Sequence, residues 1–125
     1  MQIWAIALGG ALGAVMRYAS VNAVHSVVGR GFPWGTLTVN VVGSLLAGLL
    51  FTLFAERWQV GPELRGLVLV GFLGAFTTFS AFSMENLGML LEGQLLRFLL
   101  NAVGSVVICL LAAWAGMLLA RNVMA

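Results

Sequence analysis

The stretch Gly71-Phe72-Leu73-Gly74-Ala75-Phe76-Thr77-Thr78-Phe79-Ser80-Ala81-Phe82-Ser83-Met84-Glu85 decides how this chain folds. It lies inside an apolar run of 28 residues, 64–91. As one continuous helix that run would be ~42 Å long, against a hydrocarbon layer of ~30 Å. Its centre holds two glycines, then four hydroxyl side chains (Thr77, Thr78, Ser80 and Ser83) and an acid, Glu85. Irregular backbone at membrane depth is tolerated only where protein buries it or where it borders a wet cavity. The stretch therefore predicts two shorter helices joined by a break near Gly74 to Thr78.

The rest of the chain gives that break its setting. Of its 125 residues, 62% are hydrophobic and only 8% charged, with a mean hydropathy of +1.07. A soluble domain carries about 25% charged residues, so this chain could not cover a water-facing surface, and lipid must be its solvent. Three further apolar runs, 3–28, 36–55 and 95–120, make four predicted crossings. Gly and Pro punctuate the loop Arg30-Gly31-Phe32-Pro33-Trp34-Gly35 and the turn Gly61-Pro62-Glu63. The expected fold is an all-α membrane protein: four transmembrane helices with a broken third helix, in one domain over residues 1–125. The segment beginning Gln2-Ile3-Trp4 lacks a basic n-region and continues too far for a signal peptide, so it is expected to be retained. A nucleic-acid partner is excluded by a net charge of only +2, scattered along the chain. The lone Cys109 permits no intrachain disulfide. With no nucleophile–base set, metal-ligand cluster or phosphate loop, and no room for a soluble catalytic domain, the chain is not expected to be an enzyme.

Several polar residues sit where lipid would not tolerate them. Asn40, Ser44 and Ala47 share one face of the second helix, and Asn101, Ser105 and Cys109 repeat every four residues in the fourth. Interhelical hydrogen bonding explains one such residue; two stripes beside a hydroxyl-rich break point instead to a hydrated pathway. Phe79 and Phe82 alternate with Ser80 and Ser83. An aromatic ring has a positive edge, which attracts a small anion without the full charge that would trap it. Arg17 interrupts the first helix, either snorkelling to the interface or raising the local anion concentration at a pore mouth. Glu85 has the wrong sign for an anion path and is expected to have a positioning role. Gly9 with Gly13, and Ser44 with Gly48, have the spacing of close-packing helix faces.

Arginine placement bears on orientation. Arg57, Arg65 and Arg121 fall on one side, Arg30 and Arg97 on the other, and Arg17 on neither clearly. The positive-inside rule needs a clear excess to fix an orientation. Near balance is consistent with dual topology and an antiparallel dimer, the alternative being one weakly biased orientation.

Three stretches resemble the Fluc (CrcB-type) fluoride channel family: Gly13-Ala14-Val15-Met16-Arg17-Tyr18, Gly35-Thr36-Leu37-Thr38-Val39-Asn40-Val41-Val42-Gly43, and the opening stretch from Gly71 to Glu85. The resemblance implies a passive fluoride channel of the bacterial plasma (inner) membrane that lets toxic fluoride leave the cytoplasm. It implies an antiparallel, dual-topology homodimer with two pores. By that resemblance Asn40, Phe79 and Phe82 line the pore, with Thr78, Ser80 and Ser83 beside them. Asn101, Ser105 and Cys109 form the polar track, and Arg17 belongs to a vestibule. A structural sodium ion (Na+) at the dimer interface is implied on the backbone carbonyls of Gly74 and Thr77. The family's usual Gly-Gly is Gly74-Ala75 here, its track ends in Cys109 rather than a hydroxyl, and Asn101 replaces a more usual aromatic or other polar residue.

Two other readings compete. A small multidrug transporter is also short and four-helical, but it needs a carboxylate in its first helix, where this chain has Arg17. A non-conducting membrane subunit needs small-residue packing faces but not two aligned polar stripes.

Overall fold

The computed structural model describes residues 2–122. In chain order the elements are α1 (Gln2–Val28), α2 (Trp34–Glu56), α3 (Pro62–Arg65), a π-helical stretch Gly66–Leu73, α4 (Gly74–Phe76), α5 (Ser80–Leu91) and α6 (Leu95–Asn122). Four crossings, Gln2–Val28, Trp34–Glu56, Pro62–Leu91 and Leu95–Asn122, are each long and apolar enough to span a membrane. The ends expected from the sequence lie within two residues of these. Outward-facing side chains such as Leu12 and Val15 on α1, and Leu99, Val103 and Leu110 on α6, are exposed, as lipid-facing positions require.

The third crossing is broken, at the far end of the expected Gly74 to Thr78 window. Gly74 keeps helical angles (φ −61°, ψ −34°), and the chain turns extended at Thr77 (φ −86°, ψ 157°). Because position 75 is still helical, Ala75 fits there without strain, alanine being the best helix former. The π-helical stretch before it was not anticipated from the sequence. Such widened turns often occur at functional sites.

Two close helix contacts set the architecture. α1 runs parallel to the first half of the third crossing. A Cβ on Gly9 would collide with the Leu67 carbonyl, and one on Gly13 with the Phe72 carbonyl. α2 packs chiefly on α6, where Gly48 lies against the Ala113 carbonyl and Gly116 against that of Leu45. At one end of the molecule Leu53, Phe54, Leu69, Leu73 and Ala120 form the apolar core. Just beyond it Arg121 pairs with Glu56 at 2.8 Å, and Arg65 donates to the Phe54 carbonyl at 3.0 Å with its guanidinium over the Phe54 ring.

The Gly48 contact yields a test. Gly48→Val should wedge α2 from α6 and destabilise the fold by about 1–3 kcal/mol, as overpacking does. It should lower the thermal unfolding midpoint in detergent, whereas Gly88→Val, where nothing lies within 4 Å of an added Cβ, should change it much less.

Candidate functional site

The break is held open by the redirection of two backbone N–H groups. In an uninterrupted helix the Thr78 N–H would bond the carbonyl of Gly74, four residues back. Here it donates to Asn40 Oδ1 at 2.9 Å, while Asn40 Nδ2 donates to the Thr78 carbonyl at 3.0 Å. A single amide on α2 thus satisfies both backbone groups of Thr78. One turn later the Ala81 N–H donates to the Thr78 hydroxyl at 3.2 Å instead of to the Thr77 carbonyl, which caps the start of α5 in the way Ser and Thr do. The carbonyls of Gly74 and Thr77 thereby lose their helical donors. Gly43 permits this geometry, since a Cβ there would strike the Thr77 methyl group.

Arg17 reaches the same break. Its Nε donates to the Ala75 carbonyl at 3.0 Å, so the guanidinium is docked on backbone at the level of the break, where it satisfies a third carbonyl of the interrupted helix.

A cavity of about 410 Å³ opens beside the break. From α2 it is lined by Asn40, Ser44 and Ala47, and from the third crossing by Gly74, Thr77, Thr78, Phe79 and Phe82. From α6 come Ser105 and Cys109. Polar residues from two separate helices and both phenylalanines therefore line one space. The Phe79 and Phe82 rings stand 5.6 Å apart at 43°, a tilted pair, and Phe79 is 77% exposed. Its polar lining consists of amide, hydroxyl and thiol groups, with no Asp, Glu, Lys or Arg among them. Such groups offer N–H, O–H and weak S–H donors, a surface that suits a small anion.

Other expected site residues lie outside this lining. Ser80 and Ser83 are exposed on α5, and the Ser80 hydroxyl lies 3.3 Å from that of Thr78. Asn101 is buried and donates to Asn86 Oδ1 at 2.9 Å, while its own Oδ1 accepts from the Ser105 hydroxyl at 3.2 Å. Asn86 escaped the sequence reading, although an amide inside an apolar run was the very signal that singled out Asn40 and Asn101. Glu85 accepts a 2.7 Å bond from the Thr36 hydroxyl, tying α5 to the first turn of α2, and its Oε1 is buried with no hydrogen-bond partner among the described residues.

The Asn86–Asn101 pair makes a prediction. Asn86→Leu strands a buried amide and should cost about 1–3 kcal/mol of stability. Removing the partner as well, in Asn86→Leu/Asn101→Leu, should recover part of that loss. Thermal unfolding of the two variants in detergent compares them, and a double variant less stable than the single one would contradict this account.

Comparison with known proteins agrees with this geometry. The family described as CrcB-like protein, camphor resistance (CrcB), matches residues 4–117. A protein of Magnetococcus marinus named fluoride-specific ion channel FluC is 54% identical over 121 residues, 97% of this chain and 98% of its own length. Proteins of the same name from Hahella chejuensis (50% identical, covering 95% of this chain and 94% of the relative) and Geobacter sulfurreducens (45%, covering 96% and 97%) are also similar. With a family match over nearly its whole length and relatives this similar end to end, the chain belongs to the CrcB-like family.

Proposed function

We propose that this chain is a passive, fluoride-selective channel of the bacterial inner membrane, releasing toxic fluoride from the cytoplasm. The observation that carries the reading is the cavity at the break, where Asn40, Phe79, Phe82, Ser105 and Cys109 converge. The names borne by the relatives supply the ion. A small, strongly hydrated anion needs replacement donors when it leaves water. Amide and hydroxyl groups, together with ring edges, provide them without a fixed cation that would hold the ion in place.

The conducting unit in this proposal is an antiparallel, dual-topology homodimer with two pores. Gly74, Phe79, Ser80 and Ser83 are all exposed on one monomer, a polar and aromatic strip ill-suited to lipid. A second, inverted copy would cover it. The near balance of arginines between the two sides is compatible with insertion both ways. A structural sodium ion fits the same arrangement. The carbonyls of Gly74 and Thr77, deprived of their helical donors, are oxygen ligands suited to a hard cation, and a two-fold axis would double two into four. Their part is to hold the two breaks together.

Purified protein in liposomes should release loaded fluoride to an electrode when a potassium ionophore balances charge, and should retain chloride. Fluoride retention by a demonstrably folded dimer overturns the channel reading. Within an active channel, Phe82→Ile and Asn40→Asp should each slow efflux by about tenfold, the factor that ~1.4 kcal/mol of barrier represents. Both should leave the dimer intact on size-exclusion chromatography; unchanged rates would remove those two side chains from the pore.

A further inference from the structure

A second cavity, of about 640 Å³, shares Ser105 with the first. It opens toward the end of the molecule that carries the 29–33 loop and is lined there by Gly31, Phe32 and Arg97; Asn101, Gly104 and Ser105 lie deeper along α6. Ser105 is the residue common to both cavities. Four residues of α6, Arg97, Asn101, Ser105 and Cys109, recur at intervals of four. They therefore occupy one helical face and extend over ~18 Å of the helix axis. Arg97 begins this line at the rim of the second cavity, and Cys109 ends it in the first.

A positive charge stands at the rim of the second cavity. Arg97 is exposed and donates to the Gly31 carbonyl, which places it without neutralising it, and it makes no ion pair among the described residues. At the opposite end Arg121 is paired with Glu56. An unneutralised guanidinium at the rim of a low-dielectric cleft concentrates anions there. The cavity behind it is mostly apolar, with polar groups along one wall, so an anion drawn in has a single line of donors to follow.

We infer that the second cavity is the outer mouth of the anion pathway, with Arg97 recruiting the ion and the buried Ser105 hydroxyl passing it to the cavity at the break. Ser105 suits that role because its hydroxyl donates to Asn101 Oδ1 and can swing that one proton toward an arriving anion and back. The inference rests on the channel reading, and the test separates the two.

Fluoride efflux is measured from liposomes holding wild-type protein, Arg97→Gln, Arg97→Lys and Gly104→Leu, at low ionic strength and again with an impermeant salt at several hundred millimolar. Arg97→Gln should slow efflux about threefold or more at low ionic strength, with the gap narrowing in salt as screening removes the wild-type advantage. Arg97→Lys should stay close to wild type. Gly104→Leu tests the space itself. A Cβ at Gly104 has nothing within 4 Å, so leucine should project into the cavity without disturbing the helix, and it should slow efflux at both ionic strengths. Wild-type protein that conducts while Gly104→Leu and Arg97→Gln both match it overturns the mouth and leaves the channel standing. A loss in Arg97→Gln that salt does not diminish assigns Arg97 a purely structural task at the Gly31 carbonyl, and also overturns it. If the cavity instead holds an anionic phospholipid, native mass spectra will show that lipid lost from Arg97→Gln while its efflux is unchanged. Absence of efflux from the wild type is the separate failure, that of the channel reading.

Discussion

The two hydrogen bonds between the Asn40 amide and the backbone of Thr78 are the constraint on which the rest of the structure depends. A transmembrane helix that stops in mid-bilayer leaves N–H and C=O groups without water to satisfy them, at several kcal/mol each. Here the deficit is met locally. Asn40 takes both groups of Thr78, the Thr78 hydroxyl takes the Ala81 N–H, and Arg17 covers the Ala75 carbonyl. What remains includes the carbonyls of Gly74 and Thr77, and a short extended segment that presents Phe79 outward. Part of the cost of the break is offset because these neighbours are matched to it, and the groups left over include those the proposed function needs.

The same accounting explains why α1 and α2 must approach so closely. Arg17 can reach Ala75 because Gly9 and Gly13 let α1 lie directly on the carbonyls of Leu67 and Phe72. Asn40 can reach Thr78 because Gly43 makes room for the Thr77 methyl group. Glycine on these faces fixes the distance from which a polar side chain can serve another helix's backbone. With van der Waals packing and a few hydrogen bonds as the main attractions between helices in lipid, these approaches are also a large part of what holds the bundle together.

Much of this was legible in the sequence because lipid is an unforgiving solvent. Segment ends and the existence of a break followed from asking which residues lipid would reject, and Asn40, Ser105 and Cys109 stood out by the same question. What was not legible depends on who meets whom. An amide in a helix advertises that it needs partners but not which backbone it will find, so the double bond from Asn40 to Thr78 was hidden. Asn86 was missed because its importance comes from Asn101 on another helix. The break was expected near Gly74 to Thr78, and within that window the chain stays helical through Phe76 before it opens at Thr77. Donors captured by Asn40 and Thr78, rather than glycine's freedom, decide where the helix ends.

A pathway for a small anion through lipid has to solve two opposed problems. Attraction is needed at the rim, where the ion is still hydrated and competes with water, whereas deep in the bilayer a fixed cation would bind too tightly for release. The distribution of charge in this chain follows that division. The cavity at the break is lined by neutral donors and the side chains of Phe79 and Phe82, without Lys or Arg. Arg17, at the level of the break, has its Nε committed to the Ala75 carbonyl, and Arg97, held by the Gly31 carbonyl and without an ion pair among the described residues, stands at the far rim of α6's polar line. Glu85, on α5, has an oxygen held by Thr36 and sits toward the side of α5 that meets α2. Its negative charge, were it to face the ion directly, would oppose conduction. Binding it to the start of α2 gives it structural use while keeping the line from Arg97 to Cys109 free of acids.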